Sequence, residues 1–109
     1  FMNRLKKKMR LQSDPTVIYG MDKGNIDERR KLKKSDLQIL NSHNTYRLEG
    51  VPVSPICNPS RNAIRATANP ADSKFLYFVM SRAGEHVFAE TFNEHKKNVS
   101  NWLQFLKEN

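Results

Sequence analysis

The residues most able to do acid–base or hydrogen-bonding chemistry lie in one short segment, Leu11–Gly20 (LQSDPTVIYG). Its carboxyl group, Asp14, follows Gln12 and Ser13 and precedes Tyr19, so an acid stands among side chains that donate and accept hydrogen bonds. A carboxylic acid in such surroundings can act as a general acid or bind a hydroxyl group. Asp14 also stands directly before a proline, where aspartate commonly caps a helix. We favour the cap, although a capping residue can still shape a pocket.

Two further polar clusters stand beside apolar neighbours, Asn44-Thr45-Tyr46 and Asn58-Pro59-Ser60. Their amide and hydroxyl groups can bind hydroxyls and amides, and a tyrosine ring can stack on a sugar face. Asn and Ser are equally common in turns, so a binding role and a turn-forming role both stay open.

Metal, cofactor and nucleophile chemistry has little support in the sequence. His43, His86 and His95 show no zinc-ligand spacing with a third ligand nearby, and packing roles are favoured for His86 and His95. Cys57 is the single cysteine and has no visible base partner, which indicates a buried free thiol. There is no phosphate loop, dinucleotide-binding glycine motif or nucleophile elbow, so the sequence implies no cofactor.

The composition favours an anionic partner without choosing one. Nineteen lysines and arginines against 11 acids give a net charge of +8 over 109 residues. The runs Lys6–Lys8 and Arg29–Lys34 could contact phosphates, but aromatic residues do not interleave with them, and a solvated surface is the favoured interpretation. A nucleic-acid-binding domain and a noncatalytic module for a glycan or a protein partner therefore remain alternatives.

The pattern of the first half predicts short elements joined by loops. Residues 1–9 fit the end of an amphipathic helix whose cations cover its other faces, Arg4 among them. Asp14 and Pro15 then fit the N-cap and first residue of a helix that Gly20 would stop. Residues 21–36 read as a surface excursion, Thr45–Leu48 as a short strand, and the proline-rich Gly50–Pro59 as irregular.

The second half is more regular and gives the fold class. Ser60 caps a predicted helix to about Asn69, and the apolar Phe75–Met80 predicts a strand buried on both faces. Glu85–Glu90 completes a hairpin, with His86 and Phe88 on one face, and a capping box at Thr91–Glu94 opens a closing amphipathic helix. We expect an α+β fold with a hairpin, short strands and three or four helices.

Taken in order, these segments resemble the YceG-like family of endolytic murein transglycosylases. The likeness covers nearly the whole chain and departs in two loops. The family has Gly-Leu-Pro-Pro where this chain has Gly50–Val53, and a double glycine where this chain has Gly84-Glu85. It is carried by Asn3-Arg4-Leu5, Leu11–Gly20, Asn44-Thr45-Tyr46, Pro55-Ile56, Asn58-Pro59, Leu76–Val79, His86, Phe88 and Glu94-His95.

The resemblance implies cleavage between N-acetylmuramic acid and N-acetylglucosamine in peptidoglycan glycan strands. In this family a glutamic acid protonates the bridging oxygen and then assists attack by the sugar's own C6 hydroxyl, which leaves a 1,6-anhydro end. No glutamate of this sequence stands in the family's catalytic context; that residue lies upstream of the family segment matched here. Gln12, Asp14, Tyr19, Asn44 and Tyr46 would then line the sugar cleft facing the absent acid.

The same resemblance implies where the chain belongs. We expect it to be an excised C-terminal part of a catalytic domain, 1–109, that is inactive alone. The parent would be held at the extracytoplasmic face of the bacterial inner membrane by an N-terminal anchor. Glycan strands and cell-wall synthesis proteins are the expected partners, and nucleic acid is not. The sequence itself has no apolar run of membrane-spanning length and no secretory signal.

Overall fold

The computed structural model describes residues 1–22, 32–81 and 83–108. These fall into two compact units, Phe1–Ala71 and Asp72–Asn109, which are described separately. Over the described residues the chain has four α-helices, one 3₁₀ turn and one two-stranded antiparallel hairpin, so the predicted α+β class is confirmed. Within those residues no helix combines the length and apolar content needed to cross a membrane.

The first helix, α1 (Met2–Lys6), is shorter than the predicted 1–9. Lys8 adopts a left-handed backbone conformation with φ of 58°, which a continuing right-handed helix cannot contain. Arg4 was predicted on the solvated side of this helix, but its side chain is buried. The reason is that its guanidinium binds backbone carbonyls of the loop that follows, as described below.

The second helix, α2 (Asp14–Asp22), begins and ends one to two residues away from the prediction. Asp14 is its first residue rather than the residue before it, and Gly20 lies inside it instead of stopping it. Gly20 has a packing role: a Cβ there would lie 2.7 Å from Cγ of Asn41, so the close approach of that side chain excludes any larger residue. The apolar core of this unit is Val17 and Ile18 of the same helix.

The segment predicted as a strand, Thr45–Leu48, is a turn. The Asn44 carbonyl accepts hydrogen bonds from the N–H groups of Arg47 (3.1 Å) and Leu48 (3.0 Å), which closes the chain on itself. β-Branched and aromatic residues indicated a strand here, and the local hydrogen bonds overrode that preference.

The remainder of the first unit largely follows the predictions. Residues 50–59 form no helix or strand, as expected, but Cys57 within them is exposed rather than buried. A single 3₁₀ turn covers Asp36–Gln38. Helix α3 (Arg61–Ala68) is confirmed, with the Ser60 hydroxyl accepting from the Ala63 N–H at 3.1 Å. Residues 29–31 of the predicted basic run at 29–34 lie outside the described residues.

The second unit is the predicted hairpin and closing helix. Strands β1 (Tyr77–Met80) and β2 (His86–Ala89) pair antiparallel, with Phe78 opposite Phe88. Burial alternates along β1, and Phe78 is 40% exposed, so the prediction of a strand buried on both faces was wrong. Helix α4 packs on one face of the two-stranded sheet, and only another layer could cover the second face.

Helix α4 (Phe92–Glu108) is anchored at its first turn and by ring contacts. The Thr91 hydroxyl accepts from the Glu94 N–H at 3.3 Å, which confirms the predicted cap. His95 stacks on Tyr77 of β1 with ring centroids 5.1 Å apart. The predicted packing role of His95 is therefore seen, and it joins the helix to the inner face of the hairpin.

Candidate functional site

Two threonines bring the segment before α2 and the Asn44–Tyr46 turn together. The Thr16 hydroxyl donates to the Ser13 carbonyl at 2.6 Å and accepts from the Thr45 N–H at 3.2 Å. Its only hydrogen is thus used, so Thr45 Oγ1 must be the donor across the 2.8 Å that separates the two hydroxyls. Thr45 Oγ1 in turn accepts from the Ser13 N–H at 2.9 Å. Both threonines are buried, so this closed set fixes how the two segments meet.

Asp14 and Tyr46 meet at the surface above the threonine pair. The Tyr46 hydroxyl donates to Asp14 Oδ1 at 2.6 Å, short enough for a charge-assisted bond. Burial of the phenol, and then this bond with the nearby carboxylate charge, raise the pKa of Tyr46 above its ordinary value. The tyrosine is therefore a fixed neutral donor at physiological pH, and Asp14 keeps lone pairs that can accept from a ligand hydroxyl.

Gln12 lies beside this pair in an unusual backbone conformation. Its φ is 51°, in the left-handed region that non-glycine residues rarely occupy. Its N–H donates to the Thr45 carbonyl at 3.3 Å, and its side chain is exposed. Strain of this kind at an exposed polar residue is a feature of binding and catalytic sites.

Arg4 holds the loop that contains Gln12. Its Nη1 donates to the carbonyls of Arg10 (2.9 Å) and Leu11 (3.3 Å) and to Oε1 of Gln12 (3.4 Å). Arg4 as a residue is 91% buried, and a buried cation needs several acceptors around it. Sequence reasoning missed this residue; its signal was the presence of an arginine among the apolar positions of a short helix.

Asn44 is fully buried and serves the turn itself. Its Nδ2 donates to the carbonyls of Leu37 (3.1 Å) and Ile39 (2.7 Å), and its Oδ1 accepts from the Tyr46 N–H at 2.9 Å. All the strong hydrogen-bonding capacity of the amide is thus directed inward. The structure places Asn44 under the site, where it sets the position of Tyr46.

Tyr19 occupies a different side of α2 from Asp14. The two are five residues apart, which is about 140° around a helix axis. The Tyr19 ring contacts the His43 ring at a centroid distance of 4.7 Å, and His43 Nε2 lies 2.9 Å from the Ser54 hydroxyl. The structure therefore joins Asp14 to Tyr46 and links Gln12 to the same turn through its backbone. Tyr19 lies in a separate aromatic–hydroxyl cluster.

The second unit has a concavity of its own, about 510 Å³ in volume, between the hairpin end and the last turns of α4. None of the predicted site residues lines it. Trp102 and Phe105 form its aromatic wall, with ring centroids 5.6 Å apart. Over the described part of the chain, no three histidine, cysteine or acidic side chains are grouped so that they could hold a metal ion.

The site of the first unit can bind a neutral polyhydroxyl ligand. It offers the Asp14 carboxylate as an acceptor, the exposed Gln12 amide and the Tyr46 ring within one hydrogen-bonded framework. A single carboxylate on this surface can accept a hydroxyl, but a hydrolase of the two-carboxylate type needs a second acid opposite it. The first unit thus presents a polar surface with one carboxylate acceptor, an amide and a tyrosine ring.

Comparison with known proteins identifies the family. The YceG-like family model matches residues 1–101, and the chain belongs to this family. It is 37% identical over 108 residues to an endolytic murein transglycosylase of Bacillus subtilis (strain 168), covering 99% of this chain and 29% of that protein. It is 31% identical over 104 residues to an endolytic murein transglycosylase of Streptococcus pneumoniae serotype 2, covering 92% of this chain and 18% of that protein.

A solved structure agrees with these relatives. A YceG-like protein from Listeria monocytogenes, known from its crystal structure, matches with a TM-score of 0.79 and 38% identity. The match covers 89% of this chain and 31% of the Listeria chain. The chain thus spans less than a third of the length of each of these similar proteins.

Proposed function

We propose that this chain is part of a lytic transglycosylase that cuts the glycan strands of peptidoglycan between N-acetylmuramic acid and N-acetylglucosamine. The bond breaks without water: the sugar's C6 hydroxyl attacks its own anomeric carbon, the bridging oxygen takes a proton, and a 1,6-anhydro end remains. The reaction trims or terminates growing strands. The observation that carries the proposal is the match along nearly the whole chain to two proteins named endolytic murein transglycosylases.

In this proposal the chain supplies binding surface and the acid comes from another part of the protein. Asp14, held by Tyr46, accepts a sugar hydroxyl, and Gln12 and the exposed edge of Tyr46 complete the wall. Tyr19, with His43, forms an adjoining surface on which a further sugar can stack. Asn44 positions Tyr46 from below. A mechanism with one acid and an internal nucleophile has no need of a second carboxylate here.

The wider setting is also a proposal. The substrate carries peptide carboxylates, and the net charge of +8 would attract it. We place the active protein at the extracytoplasmic face of the bacterial inner membrane, anchored by a segment outside these 109 residues, where it could meet cell-wall synthesis proteins. Protease accessibility of this region in spheroplasts would test that location.

Purified peptidoglycan and the full-length protein test the activity. We expect soluble products whose muramic acid ends are lighter by one water than hydrolysed ends, as mass spectrometry can show. The 109-residue chain by itself should release none. Reducing muramic acid ends as the main product would contradict the proposed chemistry, and anhydro ends released by the 109-residue chain would contradict the external acid.

Two substitutions in the full-length protein test the binding wall. Gln12→Ala and Tyr19→Ala should each lower turnover by about tenfold while the melting temperature stays near that of the wild type, because both side chains lie at the surface or half-buried. Ser54→Ala is a control for general disturbance near His43. Wild-type turnover in both variants would remove these residues from the site.

A further inference from the structure

The contact between Arg4 and Gln12 fixes which end of the glutamine amide faces a ligand. Arginine has five N–H donors and no acceptor, so the amide must turn its oxygen toward the guanidinium. Arg4 Nη1 lies 3.4 Å from Oε1 of Gln12 and is better bonded to two loop carbonyls, which keep it in place. The Nε2 group of Gln12, with its two hydrogens, is then directed away from Arg4 on an exposed side chain.

The same arginine also stabilises the strained loop that presents this amide. The carbonyls of Arg10 and Leu11 converge on one guanidinium nitrogen immediately before Gln12 takes its left-handed φ of 51°. Several hydrogen bonds to one buried donor hold a short loop in a single conformation. A strained backbone persists only where its surroundings hold it in this way. The Gln12 donor is therefore preorganised before a ligand arrives.

The site consequently has a definite polarity. Gln12 offers N–H donors, whereas Asp14 offers carboxylate acceptors and already uses the Tyr46 hydroxyl. A sugar hydroxyl can satisfy Asp14 by donating. The best partner for a pair of amide N–H donors is a carbonyl or carboxylate oxygen. Muramic acid carries such oxygens on its lactyl and peptide substituents, but the acetamido carbonyl is the one that every sugar of the strand has.

We infer that Gln12 recognises the acetamido carbonyl of an N-acetyl sugar and that Arg4 is a positioning residue that orients the Gln12 amide for this purpose. The inference rests on the proposed function, because it identifies which chemical group of the glycan the site recognises. It makes Gln12 a specificity residue for N-acetylated over de-N-acetylated strands, because removal of the acetyl group leaves the Gln12 donors without an acceptor.

The test is a ratio of turnover on two substrates by the full-length protein. Purified glycan strands are compared with the same strands after chemical de-N-acetylation, in the wild type and in Gln12→Glu, Arg4→Met, Arg4→Lys and Lys7→Met. Gln12→Glu keeps the shape and the Arg4 contact but has no N–H donor. Lys7→Met removes an exposed cation near Arg4 without touching the loop.

The wild type and Lys7→Met should prefer N-acetylated strands by about tenfold, and Gln12→Glu should lose that preference. Arg4→Met should lose most of the preference because the amide is free to turn, and Arg4→Lys should recover part of it through its remaining donors. The free amine of a de-N-acetylated sugar would be attracted to Asp14 in every variant. In Gln12→Glu the added carboxylate attracts it as well, so the Arg4 variants, which add no acid, decide whether the loss of preference comes from the amide.

Each contrary result has a separate meaning. Equal rates on both substrates in the wild type would overturn the inference while the proposed function stands. An Arg4→Met variant that slows on both substrates by the same factor would show that Arg4 acts only on stability. Failure of the wild type to release anhydro ends from either substrate would instead reject the proposed function.

Discussion

The two units of this chain are stabilised in different ways. Residues 1–71 contain 14 of the 19 basic and 6 of the 11 acidic residues, so they carry the whole net charge, whereas residues 72–109 hold five of each sign. In the first unit the buried groups are mostly polar, namely Arg4, Thr16, Asn44 and Thr45. In the second, aromatic rings pack a helix on a hairpin.

The contrast relates to function. A unit ordered by side-chain hydrogen bonds can hold irregular loops in one conformation, and such loops place polar groups where a ligand can meet them. A hairpin packed on a helix needs only periodic apolar positions. Removing a buried hydrogen-bonding group from the first unit should therefore lower the free energy of unfolding more than removing a helix cap from the second.

The largest loss should follow Asn44→Ala. The substitution removes a donor from two part-buried carbonyls and an acceptor from the Tyr46 N–H, and we expect a fall of about 3 kcal/mol in the free energy of unfolding. Urea unfolding measures it. Asn58→Ala, at an exposed asparagine of the same unit, is the control and should change little. A loss below about 1 kcal/mol for Asn44→Ala would mean that water replaces the amide at no cost.

A smaller loss is expected for Thr45→Val. Valine keeps the shape but leaves the Ser13 N–H without its acceptor, at a cost of about 2 kcal/mol. Thr45→Ser retains the hydroxyl and should cost less than half as much. If valine and serine destabilise equally, the methyl group rather than the hydrogen bonds holds the two segments together.

In the second unit, Thr91→Ala should cost about 1 kcal/mol, because it removes the acceptor for the Glu94 N–H at the start of α4. Amide hydrogen exchange in the first turn of α4 is the measurement, and Thr91→Ser is the matched control. Unchanged exchange in Thr91→Ala would show that the ring contacts of Tyr77 with Phe92 and His95 suffice to fix the helix start.

The smallest effect on stability is expected where the backbone is strained. Gln12→Gly and Lys8→Gly should each raise the free energy of unfolding by about 0.5 kcal/mol, since glycine adopts a positive φ without the steric penalty but loses more entropy on folding. Thermal unfolding measures both. Only Gln12→Gly should reduce glycan turnover in the full-length protein. Equal turnover in the two variants would show that the strain at Gln12 has no functional role.

The same contrast explains what the sequence could and could not predict. The hairpin, the Thr91 cap and α4 were predictable because alternation, capping boxes and helical spacing are local signals. The turn at Thr45 was mistaken for a strand because its β-branched and aromatic residues gave no sign of the local bonds to the Asn44 carbonyl. Gly20 was mistaken for a helix stop because Asn41, which packs against it, is distant in sequence. Buried arginine gives no periodic signal, so the role of Arg4 emerged only from its contacts.

For the candidate site, the role of the predicted residues stays a prediction, and the structure gives their arrangement. Asp14 bonds to Tyr46, and Gln12 is linked to the same turn through its N–H and the Thr45 carbonyl. Tyr19 was grouped with Asp14 because Asp14 was predicted as the cap before the helix. With both residues inside α2, their five-residue spacing turns the two side chains to different sides.

An isotope-edited NMR titration of the 109-residue chain with soluble peptidoglycan glycan strands tests the central claim most directly, because binding does not require the external acid. We predict saturable shifts of the backbone amides of Gln12, Asp14 and Tyr46, with amides of residues 83–108 unchanged. Shifts confined to the second unit, or none in the first at saturating glycan, would contradict the assignment of the carbohydrate site to residues 1–71.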